Sequence, residues 1–67
     1  MDIFTVRLKE LRLEKCKTQK ALADALKISE DSIYSWEKGR SQPSIEMIRE
    51  LCAVLDCSAD YLLGIVD

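Results

Sequence analysis

The stretch TQKALADALKISEDSIYSWEKG, residues 18–39, decides the fold. Thr18 is a good helix N-cap, because its hydroxyl can accept one of the N–H groups a helix start leaves unpaired. Behind it, Leu22, Ala23 and Leu26 fall on one face at helical spacing. Lys27-Ile28-Ser29 breaks that pattern. Ser29 is a second N-cap, with Glu30 and Asp31 in the first turn, where the helix dipole favours anions. Ile33 and Trp36 then recur three apart, and Gly39 is a natural residue just past a helix end. Two short helices crossing steeply need a small residue at their contact, a tight turn and a branched apolar lock. Ala23 supplies the contact, Ile28 plugs the turn and Ile33 locks the second helix, leaving its polar face clear of the body.

Outward from this pair, three more helices fit the periodicity. One runs from about Asp2 or Phe4 to Lys15, with Phe4, Leu8 and Leu11 on one face. After a loop at Arg40 to Gln42, Pro43-Ser44 starts a fourth helix, with Ile45, Ile48, Cys52 and Leu55 turned inward and Met47 also in the core. Asp56-Cys57 is a short turn. Ser58 caps a fifth helix that carries Tyr61, Leu62 and Leu63 and ends at Gly64. Connections of three or four residues are expected. Nothing alternates with period two for long enough to make a strand. The two glycines and one proline offer little turn material for a sheet. The expectation is an all-α, compact five-helix domain over residues 1–67. Its core holds Phe4, Leu8, Leu11, Leu22, Ala23, Leu26, Ile28, Ile33, Trp36, Ile48 and Leu55.

The 67 residues allow one domain. The longest apolar run, Tyr61 to Val66, is six residues including Gly64, so no membrane span is expected. The opening MDIFTVRLKE lacks the basic-then-apolar order of a signal peptide. A cytoplasmic protein follows. Three cysteines and no histidine make neither a disulfide framework nor a zinc site, since no C-x-x-C occurs. Cys16, Cys52 and Cys57 read as buried thiols, and no metal or cofactor is expected. Without a histidine, or paired acids in a cleft, an enzyme is not expected.

The net charge of −2 argues by itself against a polyanionic partner. The sum conceals a partition. Residues 7–40 hold nine Lys/Arg against six acids, and residues 41–67 hold Arg49 against five acids. The basic part can face a polyanion while the acidic part faces elsewhere.

Five strings fix a resemblance: RLKELR (7–12), TQKALADAL (18–26), SEDSIYSWEKG (29–39), PSIE (43–46) and DYLLG (60–64). In this order and spacing the chain resembles the phage-repressor type of helix-turn-helix domain, the Cro/XRE family of bacterial and phage regulators. The resemblance covers nearly the whole chain. It implies a lambda-repressor-like fold with its helix-turn-helix at 18–39. It also implies a DNA-binding transcriptional regulator, a repressor and a homodimer, with the helix at about 29–38 inserted into the major groove of double-stranded DNA. Gln19 matches the family's phosphate-contacting glutamine, which also braces a recognition-helix side chain. Ser29, Glu30, Asp31 and Ser32 stand at the opening of that helix. Tyr34, Ser35 and Lys38 continue its exposed face, with Tyr34 and Ser35 placed to read base edges. Arg40 matches a phosphate-binding loop residue. Arg12 and Glu37 match an ion pair that ties the first helix to the end of the third. When bound, such a regulator sits on the nucleoid.

Four departures accompany the match. Glu30-Asp31 replaces polar or basic residues, and carboxylates repel phosphate although they accept from cytosine N4. Lys27 stands where the turn commonly has glycine. Cys16-Lys17 replaces a glycine–apolar pair, with Leu13 available to compensate in the core. Ala21 replaces a glutamate, leaving the capping box incomplete. The acidic opening motivates an alternative: a helix-turn-helix protein-interaction module, of antitoxin or anti-repressor type, with weak or no DNA binding. For self-association the expected seam is the chain end, where Leu62, Leu63, Ile65 and Val66 crowd together, with Leu62, Ile65 and Val66 as its residues.

Overall fold

A computed structural model describes residues 2–66. Five helices follow one another: α1 (Ile3–Lys15), α2 (Gln19–Leu26), α3 (Glu30–Glu37), α4 (Ile45–Leu55) and α5 (Ala59–Leu63). No strand occurs among the described residues. The helices start where short polar side chains can cap them. Asp2, Thr18, Ser44 and Ser58 accept from the N–H of Phe4, Ala21, Met47 and Tyr61. With alanine at 21, no side chain can reach back to the Thr18 N–H, which donates instead to the Cys16 carbonyl at 2.9 Å.

Four of the helices, α2 to α5, also end alike. Lys27, Gly39, Asp56 and Gly64 all adopt positive φ. The N–H of the following residue then returns to a carbonyl five positions back: Ile28 to Ala23, Arg40 to Ser35, Cys57 to Cys52 and Ile65 to Asp60. These are Schellman-type caps, which satisfy carbonyls the helix end would otherwise orphan. The connection from α3 to α4 runs from Lys38 to Ser44, longer than the three or four residues expected. Pro43 lies outside α4, because the Ser44 hydroxyl makes the cap.

One core joins the helices. Leu8, Leu22, Ile33, Leu51, Leu55 and Leu62 are fully buried, alongside Phe4, Ala23, Leu26 and Trp36. Leu11, Ile28, Met47, Ile48 and Cys52 pack against it, half-buried. Helix α3 rests chiefly on α2, while α1 spans α3, α4 and α5.

Several expectations need correction. Ile45 is not inward but 76% exposed, and Leu51 fills the core in its place. Ten residues before Leu55, Ile45 is rotated roughly 80° away from it around the helix, whereas Leu51 lies only about 40° off. Leu62 is not available to a dimer seam, because the inner face of α5 is closed by α1. Ile65 and Val66 remain exposed. Leu13 is half exposed and adds nothing to the core beside Cys16. The three cysteines are half-buried thiols rather than fully buried ones.

The chain end is held by Arg7. Its Nη1 donates to the carbonyls of Tyr61 at 2.5 Å and Val66 at 2.6 Å. Its guanidinium also lies 4.1 Å from the centroid of the Tyr61 ring. No helix among the described residues is long and apolar enough to cross a membrane.

Candidate nucleic-acid interface

Helix α3 buries Ile33 and Trp36, and this orientation turns Glu30, Asp31, Tyr34 and Lys38 outward. Ser29 and Arg40, just before and just after it, are exposed too, while Ser32, Ser35 and Gln19 are half-buried. The residues singled out in the sequence thus gather on α3, its two flanks and the start of α2.

The helix is locked at its C-terminal end. Arg12 Nε and Nη2 donate to the two carboxylate oxygens of Glu37, at 2.5 and 3.2 Å. Both side chains are buried, at 7% and 6% exposure. The third guanidinium nitrogen, Nη1, donates to the Lys17 carbonyl at 3.2 Å. Gln19 Nε2 donates to Glu37 Oε1 at 3.2 Å. A bidentate pair of this kind fixes geometry as well as charge. Here it binds the last turn of α1, the turn before α2 and the first residue of α2 to the last residue of α3. Gln19 therefore braces the end of α3.

On the outward face an aromatic ring gathers two cations. Lys38 Nζ lies 5.6 Å, and Arg40 Cζ 5.7 Å, from the centroid of the Tyr34 ring. Both distances fall within the range of cation–π attraction. The ring, 41% exposed, thereby limits where two long, flexible side chains can go. The loop after α3 is drawn back by the Ser35 and Ser41 hydroxyls, 2.7 Å apart. A pair of cations held beside an exposed helix suits the oxygens of a phosphodiester backbone.

The opening of α3 has a different chemistry. Ser29 sits at the N-cap position but makes no side-chain cap; its hydroxyl pairs with that of Ser32 at 3.2 Å. That departs from the capping role expected of it. Two small hydroxyls thus stand at the helix start, flanked by the exposed carboxylates of Glu30 and Asp31. Hydroxyls pair with any base edge, and carboxylates with the cytosine amino group.

Two contributors escaped the sequence reading. Ser41 lies in the Arg40 to Gln42 loop, where nothing in the sequence singles it out from its neighbours. Arg7 reaches partners 54 and 59 residues away, and nothing local in the sequence signals that. No cluster of three or more His, Cys, Asp or Glu that could hold a metal occurs among the described residues.

Comparison with known proteins agrees with this arrangement. A family profile described as helix-turn-helix matches residues 8–62. The HTH-type transcriptional regulator DicA of Escherichia coli (strain K12) is 46% identical over 46 residues, covering 69% of this chain and 34% of DicA. An uncharacterized HTH-type transcriptional regulator of Bacillus subtilis (strain 168), YqaE, is 34% identical over 61 residues, covering 91% of this chain and 53% of YqaE. The HTH-type transcriptional activator BcrR of Enterococcus faecalis is 33% identical over 61 residues, covering 91% of this chain and 30% of BcrR. The chain thus spans a third to a half of the length of these relatives.

Proposed function

This chain belongs to the helix-turn-helix family, and we propose that it is a sequence-specific, double-stranded-DNA-binding regulator of transcription that inserts α3 into the major groove. The observation that carries the reading is the way α3 is held. Its inner face is packed, its last residue is locked by Arg12 and Gln19, and its outer face groups Tyr34 with Lys38 and Arg40. Lys38, Arg40 and Gln19 contact phosphates. Ser29, Ser32, Tyr34 and Ser35 face base edges, and Glu30 and Asp31 select cytosine on one strand. The protein acts in the cytoplasm, on the nucleoid. It acts as a repressor, since a domain seated on an operator blocks polymerase with no further contact. Selection from a pool of random duplexes tests the reading. A recovered consensus supports it, and an unenriched pool overturns it.

The protein also pairs with a second copy. Pairing doubles the contacts and places two recognition helices one helical turn of DNA apart. With Leu62 buried, the exposed apolar side chains left for a seam include Ile3, Ile45, Leu63, Ile65 and Val66. A groove of about 270 Å³ is lined by Phe4, Pro43, Ile45, Ile48 and Leu63, with Asp2 and Gln42. The exposed Glu30-Asp31 pair favours one rival reading, a protein-interaction module that does not bind DNA. Absence of any salt-dependent shift on duplex DNA would decide for that module.

A further inference from the structure

We propose that Cys52 and Cys57 form a thiol-oxidation site, at which a low-molecular-weight disulfide of the glutathione type closes a reversible intrachain disulfide across the α4–α5 corner. The pair is placed by the way α4 ends. Asp56 takes a left-handed conformation (φ 54), and the Cys57 N–H then donates to the Cys52 carbonyl at 3.1 Å. In such a cap the residues at the two ends of this hydrogen bond bring their side chains together. Here both of these side chains are thiols. The backbone bond keeps the two residues side by side, as a disulfide between them requires. Both cysteines are half-buried, so an oxidant can reach them. Cys16 differs from them, standing alone at the C-terminal end of α1.

The chemistry balances as two exchanges. The Cys52 thiolate attacks one sulfur of the oxidant, breaks its S–S bond and releases one small thiol. Cys57 loses its proton and attacks Cys52 Sγ in the mixed disulfide, releasing the second small thiol. Two protein thiols are oxidised, one small disulfide is reduced, and the two protons leave on the released thiols. Burial, then the neighbouring Cys52 and Asp56, push the Cys57 thiol up to about 11. Cys57 is therefore protonated near neutral pH and reacts second, once the mixed disulfide is held beside it. The closed bond spans residues 52–57. It ties the last turn of α4 to the start of α5 and makes the corner dependent on thiol redox state.

The test is peptide mapping of the intact chain after incubation with oxidised glutathione and alkylation of the remaining thiols. Trypsin cuts after Lys15, Lys17 and Arg49, so Cys52 and Cys57 share the peptide 50–67 and Cys16 falls in another. The expected product is peptide 50–67 unalkylated and lighter by two hydrogens, with Cys16 outside any intrachain bond, in a protein that remains a single chain. Thermal unfolding of that product should shift upward by about 9–18 °C and return on reduction. Alkylated Cys52 and Cys57, a bond to Cys16, or a bond between chains would each overturn the proposal. A lowered unfolding temperature with the bond in place would also overturn it, because the native turn would then not preset the pair.

Discussion

At Lys27 the chain turns through φ 59 and ψ 43, a left-handed conformation that glycine adopts without penalty. A lysine there costs on the order of 1 kcal/mol. Lys27→Gly should therefore stabilise the domain by about that amount. Urea unfolding followed through the buried Trp36 reads this directly, and a destabilised variant would contradict it. Arg12 presents the opposite case. Its guanidinium is buried and makes bonds to Glu37 and to the Lys17 carbonyl. Arg12→Ala leaves the Glu37 carboxylate buried beside the Gln19 amide alone. That should cost about 3–5 kcal/mol, a large part of the stability of a domain this small. The double replacement Arg12→Met/Glu37→Leu should cost clearly less, because no charge is left stranded. If the two variants unfold at the same urea concentration, the pair is not acting as a buried ion pair.

For the elements, the balance between packing and presentation on α3 sets the expected phenotypes. Arg40 lies beyond the helix end and leans toward the Tyr34 ring. Arg40→Ala should weaken binding to every duplex alike, by about tenfold, and lower the salt slope by about 1 unit. Ser35 lies on α3 itself, and its hydroxyl meets Ser41. Ser35→Ala should reorder preference among selected duplexes, whereas Ser41→Ala, which only releases the loop, should weaken all of them equally. A uniform loss from Ser35→Ala would take Ser35 out of the base-reading set. Much of this was legible in the sequence. The caps at Thr18 and Ser58, the glycine stops at 39 and 64, and the inward Ile33 and Trp36 follow from local rules of spacing and hydrogen bonding. The inner face of α4 was read one step off, at Ile45 instead of Leu51, because short helices with many apolar residues allow two overlapping stripes. The Ser29–Ser32 pairing and the Arg7 clamp depend on side-chain choices among several satisfied alternatives. No sequence pattern ranks those.

Charge is uneven along the chain: residues 7–40 carry nine Lys/Arg against six acids and residues 41–67 one against five, all within one small body measuring 28 × 23 × 22 Å. That arrangement leaves the acidic half, with its exposed Ile45, Leu63, Ile65 and Val66, for protein contact. Like charges near a seam repel, so the dimer should be weak in low salt and tighten as salt screens it. Sedimentation at several concentrations, with the intact chain and with Ile65→Asp/Val66→Asp, tests this. A chain that stays monomeric at high micromolar concentration and binds its operator without cooperativity would rule out the dimer. The claim on which the rest depends is that this face grips DNA despite the net charge of −2. Its most direct test is the affinity of the chain for random-sequence duplex across a series of salt concentrations. Binding at low salt should fall linearly on a logarithmic plot as salt rises, with a slope reflecting a few phosphate contacts. No binding at the lowest salt, or binding indifferent to salt, would contradict it.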